Sequence, residues 1–259
     1  MERRPSEAVP SITISCQSLT ARFGDVTAVE SFSLDVRSGA VCALLGANGA
    51  GKSTTVKMMT GLLRPTSGDA IVAGHSVVNA PLEVKRRIGA LPENLGLFDS
   101  LTVEEHLQLT GPVYGIGARE TAERTTRLLR ALKLEDFRST YASRCSHGTR
   151  KKTALAMALL PNPDVLFLDE PFEGIDPVAS RFLRDLLASL AGRGITVFLT
   201  SHILPIVEKL ASQVVMIRSG RVVWNSGAEG SEGRLEELYF SLAEAPVIEE
   251  LEWLGSRRS

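Results

Sequence analysis

Apolar residues along this chain follow two spacings that take turns from one end to the other. Short continuous apolar or β-branched runs stand at 12–16, 19–23, 32–36, 40–45, 70–74, 164–168, 195–199 and 214–218. Runs this short and this continuous predict strands, and the central ones predict strands buried on both faces. Between them the apolar positions recur every three or four residues. That spacing predicts helices at 54–60, at Val103, Leu107 and Leu109, at Leu128, Leu129 and Leu132, from the Ser146 region through Leu160, from Asp176-Pro177 to Leu190, and at 235–242. Gly111-Pro112 and Gly115-Ile116-Gly117 are expected to separate the second helix from the third, and Gly61 to end the first. The runs at 12–36 predict a small antiparallel sheet, and Ser219-Gly220 between 214–218 and 221–224 predicts a hairpin that closes the main sheet. The fold class expected is α/β: a mainly parallel sheet with helices on both faces, an antiparallel sheet at the start and a helical insertion.

Chemistry enters between the run at 40–45 and the helix at 54–60. Gly46-Ala47-Asn48-Gly49-Ala50-Gly51-Lys52-Ser53 fits G-x-x-x-x-G-K-[ST] at every fixed position, with a helix expected to begin near Lys52 and continue through Thr54. The glycines let backbone N–H groups turn inward, and the helix start adds its positive end, so the loop suits anionic phosphate oxygens. Lys52 reaches toward β- and γ-phosphates in such loops, and Ser53 offers its hydroxyl to Mg²⁺. The run at 164–168 ends in Asp169-Glu170, two acids at the carboxyl end of a buried strand, where open α/β sheets bind ligands. A cation-holding role suits Asp169 and a water-activating role suits Glu170, since phosphoryl transfer is positioning plus charge neutralisation. Upstream, Phe23 stands at a turn. Its ring suits either stacking on an adenine or ordinary core packing, and the sequence leaves both open.

Composition narrows the setting. The chain has 259 residues, 44% hydrophobic, enough for one large α/β domain with a real core. Lys plus Arg number 29 against 30 Asp plus Glu, so no basic footprint for nucleic acid is present. Three widely spaced cysteines, Cys16, Cys42 and Cys145, fit small reduced thiols rather than a disulfide framework. A spanning helix needs roughly 20 consecutive apolar residues, and the run at 154–160 is cut by Pro161-Asn162-Pro163. No membrane span of its own is expected. Met1-Glu2-Arg3-Arg4-Pro5-Ser6 has no apolar segment directly after it, so a loose terminus over 1–10 is expected rather than a secretory signal. Glu104-Glu105 beside His106 lacks a second ligand cluster, and a solvated helix start is expected there instead of a metal site. His75 carries no motif and is expected at the surface.

With Gly61-Leu62-Leu63-Arg64-Pro65-Thr66-Ser67-Gly68 following the phosphate loop, the chain resembles the ATP-binding subunit of an ABC transporter, and the later motifs agree. The resemblance spans about 11–244, with a helical subdomain at about 94–160 and a tail at 245–259. It implies a P-loop NTPase core of the ABC ATPase type. Ile88-Gly89-Ala90-Leu91-Pro92-Glu93-Asn94 is similar to the family's Q-loop, with Glu93 where Gln is usual; a carboxylate there still suits a hard cation but adds negative charge beside the phosphates. Cys145-Ser146-His147-Gly148-Thr149 occupies the place of the signature motif and retains Ser146 and Gly148, which implies contact with ATP held by a second ATPase subunit, head to tail. Glu173-Gly174-Ile175-Asp176-Pro177 is similar to the D-loop. His202, after Thr200-Ser201, matches the switch histidine, which implies contact with the γ-phosphate.

The resemblance thus implies ATP and Mg²⁺ as cofactors. It also implies transmembrane permease subunits as partners, docked around 97–103 on the cytoplasmic face of the membrane, with the pattern of exporters of the ABC-2 type. Two rivals stand beside it. One is a soluble ABC ATPase acting on ribosomes or DNA, against which the single cassette and near-neutral charge count. The other is a regulatory subunit that binds ATP without turnover, favoured by Glu93 and opposed by Glu170 and His202.

Overall fold

A computed structural model describes residues 11–227 and 235–242. The expectations for 1–10 and for the apolar tail residues Ile248, Leu251, Trp253 and Leu254 lie outside the described residues. Two sheets organise the chain. The smaller runs in the order β2-β1-β4-β5 and is antiparallel throughout, from β1 (Ile12–Phe23), β2 (Val26–Arg37), β4 (Ser67–Val72) and β5 (His75–Ser76). The larger runs β10-β9-β3-β8-β7-β6, from β3 (Val41–Leu45), β6 (Ile88–Leu91), β7 (Val165–Leu168), β8 (Thr196–Ser201), β9 (Gln213–Arg218) and β10 (Arg221–Asn225). Its strands are parallel except β10, which returns antiparallel along β9 through Ser219 and Gly220, both at positive φ as a tight hairpin requires. The runs at 12–16 and 19–23 are one strand. Register shifts around Gln17 and Ser18, with Ser18 at φ 49°, form a bulge that interrupts the apolar alternation without ending the pairing.

Strands β3, β7, β8 and β9 of the larger sheet are buried on both faces, which is why they read as continuous apolar runs. Alternate residues go to opposite layers: Val41, Ala43 and Leu45 of β3 join one core, Cys42 and Leu44 the other. The first core packs under the helices α3 (Val103–Val113), α4 (Ala118–Ala131), α5 (His147–Leu159), α6 (Pro177–Gly192), α7 (Leu204–Leu210) and α8 (Leu235–Leu242), through residues such as Leu107, Leu129, Leu155, Leu187, Val207 and Leu235. The second is closed by the smaller sheet with α1 (Lys52–Met59) and α2 (Pro81–Arg87), through Ile14, Phe32, Val56, Met59 and Val84. Helices therefore cover both faces, as expected, and the antiparallel sheet shares one face with two of them.

Four local expectations are corrected. Gly111-Pro112 does not separate two helices; both residues lie in the last turns of α3, and the break comes at Gly115 at φ 73°. Gly111 is there for contact: a Cβ on it would sit 2.1 Å from Thr121 Oγ1 of α4, so the small residue sets how closely the two helices approach. Leu109 is 48% exposed and does not share the buried stripe of Val103 and Leu107. His106 is fully buried, not part of a solvated helix start. Its Nε2 accepts from the Phe98 amide at 2.9 Å and its Nδ1 lies 2.7 Å from the Thr102 carbonyl, which fixes the proton on Nδ1. Around it Thr102 and Glu105 form a reciprocal cap on α3, and Glu104 pairs with Arg138, whose guanidinium holds the Glu104 carboxyl below the usual carboxylate range. Cys16 and Cys42 are buried free thiols whose pKa values burial pushes up, which suits inert core residues; Cys145 is free and half-buried. His75 is half-buried in β5 rather than fully at the surface.

Candidate functional site

Three neighbouring strands decide where the chemistry collects. β3 pairs with β8 and β8 with β7, all parallel, so the segments leaving their carboxyl ends emerge side by side. These are the phosphate loop after Leu45, Asp169-Glu170 after Leu168, and His202 after Ser201. Such an edge is where an open α/β sheet leaves a crevice. The loop is held tight by its glycines. Gly51, capping α1 at φ 105°, would place a Cβ 2.6 Å from the Ala28 carbonyl oxygen, and Gly46 would place one 2.5 Å from that of Ile217. No larger residue fits either position without moving backbone.

The loop opens onto a cleft of about 300 Å³ lined by residues 47–54 with Ala28, Glu93, Glu170, Glu173 and His202. Lys52 is buried at its edge, its Nζ donating to the carbonyls of Gly46 at 2.8 Å and Ala47 at 3.3 Å and standing 3.4 Å from Glu170 Oε1. Glu170 Oε2 lies 3.0 Å from His202 Nδ1. The remaining oxygen, Oε1, is buried and accepts no hydrogen bond. The ion pair with Lys52 offsets its charge but leaves its hydrogen-bonding capacity unused, which is costly unless the site has a use for it. Asp169, also buried, accepts at Oδ1 from Thr200 Oγ1 at 2.6 Å. It faces a second, more apolar cavity of about 390 Å³ that shares Glu93 with the first and includes Val56, Leu62 and Phe167 in its walls.

The cleft thus gathers Asn48, Gly49, Ala50, Gly51, Lys52, Ser53, Thr54, Glu93, Glu170 and His202. Gly46 packs beneath the loop, and Asp169 borders the adjoining cavity. Phe23, Ser146 and Gly148 are not among the residues lining the cleft. Phe23 ends β1 and is 52% exposed. Ser146 caps α5 by accepting from the Thr149 amide at 3.2 Å, and a Cβ on Gly148 would meet nothing within 4 Å, so this helix start is open. Asp176 caps α6 through the amides of Val178 and Ala179, and those bonds hold its carboxyl below the usual range.

Two side chains that motif reading passed over also touch the acids. Thr200 bonds Asp169 and the Glu170 amide, and Lys151 of α5 donates to the carbonyls of Glu170 and Glu173. Burial pulls the Lys151 ammonium down from its usual range, against the opposing pull of Glu173 and Glu170. In the sequence Thr200 is one more β-branched strand residue and Lys151 one of three consecutive basic residues, so no spacing singles them out.

Comparison with known proteins gives a consistent result. The family described as "ABC transporter" matches residues 29–173. "ABC transporter ATP-binding protein NatA" of Bacillus subtilis is 36% identical over 88% of this chain and 92% of its own length. "Nod factor export ATP-binding protein I" of Burkholderia lata is 35% identical over 88% of this chain and 74% of that protein. A solved "ATP binding subunit of ABC transporter" superposes with a TM-score of 0.80 at 31% identity, covering 88% of this chain and 98% of that one.

Proposed function

The chain belongs to the ABC transporter family as an ATP-binding, ATP-hydrolysing subunit, and from that premise we propose that its cleft turns over Mg-ATP at a seam between two copies and drives separately encoded membrane subunits, in the direction of export. The observation that carries the catalytic part is the Glu170 carboxylate. One oxygen is tied to His202, while the other is buried at the edge of the cleft, ion-paired with Lys52 at 3.4 Å and accepting no hydrogen bond. A carboxylate so held is suited to take a proton from water. The water oxygen attacks the γ-phosphorus, its proton passes to Glu170, and the bond to the β-phosphate oxygen breaks to leave ADP and phosphate. Lys52 offsets charge on the β- and γ-phosphates, and His202 contacts the γ-phosphate.

The donors fit a hard cation. Ser53, Asp169 and Glu93 offer oxygen only, and among the described residues no cluster of three or more His, Cys, Asp or Glu could hold a metal by itself. Mg²⁺ is bound in this way by one or two carboxylates together with substrate phosphates. When bound it supplies neutralisation of the phosphate charge. Phe23, exposed ahead of the loop, is assigned to the adenine ring.

Ser146 and Gly148 stand outside their own cleft on an open helix start, which supports a role toward nucleotide on a second copy. We assign 11–244 to the ATPase domain and 94–160 to a helical lobe within it, supported by the mutual packing of α3, α4 and α5. No described helix is long and apolar enough to cross a membrane, so attachment to the cytoplasmic face is assigned to permease subunits. The turn before α3 suits that contact: Phe98 is 56% exposed while its amide is fixed by His106. Export follows the relative whose name carries it.

The catalytic reading is tested by phosphate release from the purified chain. Lys52→Ala is expected to lower it by about 10²- to 10³-fold, the range for removing one positioned charge-stabilising donor. Unchanged release would overturn the assignment of the cleft, and recovery of the chain from membranes without any integral membrane protein would overturn the transporter assignment.

A further inference from the structure

We infer that Thr200 and Lys151 are positioning residues for hydrolysis, clamping the two ends of the Glu170 backbone so that its carboxylate can face the cleft; this rests on the water-activating role assigned to Glu170. Glu170 stands at φ 46°, a left-handed conformation that a β-carbon disfavours and that persists only where surroundings hold it. Both polar groups of the residue's backbone are held by side chains. Its N–H donates to Thr200 Oγ1 at 2.9 Å, and its carbonyl accepts from Lys151 Nζ at 2.8 Å.

The Thr200 hydroxyl is fully buried, and the direction of its bonds is set by chemistry. An amide can only donate, so Oγ1 accepts from Glu170 and its own proton goes to Asp169 Oδ1, 2.6 Å away. One hydroxyl therefore fixes the base-bearing residue and the cation-facing acid relative to each other. Lys151 works from the far side. Its ammonium reaches from α5 to two carbonyls of the 170–173 turn, tying the helix that begins at Ser146 to the loop that carries Glu170. A buried ammonium needs such acceptors, and the turn in turn loses its left-handed geometry without them.

The test uses the full chain with Thr200→Val, which keeps the shape and removes the hydroxyl, Thr200→Ser, which keeps the hydroxyl, and Glu170→Gln as reference. Thr200→Val is expected to lower kcat by about 10²-fold, the scale for misplacing a reacting group by about an ångström, with KM for ATP unchanged and hydrogen exchange at the Glu170 amide accelerated. Thr200→Ser is expected to restore kcat and amide protection together, which a packing role would not do. Wild-type kcat in Thr200→Val beside an inactive Glu170→Gln, or an equally protected Glu170 amide, would overturn the clamp. Full turnover in Glu170→Gln would instead overturn the role of Glu170 itself, and the amide exchange would still decide the clamp. Should Thr200→Val not fold, Lys151→Met poses the same question from the carbonyl end, with a loss of kcat at constant KM expected and an unchanged kcat contradicting it.

Discussion

Glu170 and His106 are both buried, both titratable and both hydrogen-bonded, yet they belong to different kinds of place. His106 spends its two ring nitrogens on the turn just before α3, on the Phe98 amide and the Thr102 carbonyl, and Glu104 and Glu105 beside it are paired with Arg138 and Thr102. Every polar atom there closes a loop of the fold. Glu170 draws its neighbours from three separate segments, the phosphate loop through Lys52, the end of β8 through Thr200 and His202, and α5 through Lys151, and its Oε1 faces the Lys52 ammonium without accepting a hydrogen bond. Burial with complete local pairing stabilises a turn, whereas burial with convergence from distant segments and unused hydrogen-bonding capacity beside a cleft is what a chemical role needs.

That contrast can be broken by substitutions whose effects should separate cleanly. Glu170→Gln is expected to have the largest effect: phosphate release falls about 10³-fold, within the usual range for losing a general base, while the thermal midpoint holds. His106→Ala is expected to do the reverse. It leaves a cavity and unpairs the Phe98 amide, lowering stability by about 3 kcal/mol, read as a lower urea midpoint, with turnover of the folded fraction retained. Loss of turnover without loss of stability in His106→Ala would erase the distinction. Arg138→Ala is the smallest, about 0.5 kcal/mol because the pair with Glu104 is partly solvated. Its pH dependence sharpens the contrast. The Glu104 pKa is depressed in the folded chain, so the pair's contribution is complete above the unfolded carboxylate value of about 4.3 and fades as pH falls through the lower folded value. Denaturant midpoints of wild type and Arg138→Ala should therefore converge in acid.

Much of this was legible in the sequence, for identifiable reasons. The phosphate loop and the acids after β7 are contiguous motifs, and strands β3, β7, β8 and β9 are buried on both faces, so their runs stand out. The α/β class, the antiparallel sheet and the 219–220 hairpin followed from the same pattern. What escaped depends on neighbours far away in the chain. Gly111-Pro112 reads as a helix breaker until α4 is seen to need the space above Gly111. His106 reads as solvated because two glutamates precede it, although the segment at Phe98 folds back over it. Thr200 is indistinguishable from the β-branched residues around it until Asp169 and Glu170 are brought alongside. Lys151, between Arg150 and Lys152, reads as one of a solvated basic run.

The seam between two copies is tested most directly by sedimentation of the Glu170→Gln chain with and without Mg-ATP. A hydrolysis-blocked cleft covered by the partner's α5 start should convert the chain from one copy to two when Mg-ATP is added, and Ser146→Arg should prevent it. A chain that stays a single copy at saturating Mg-ATP would contradict the shared site.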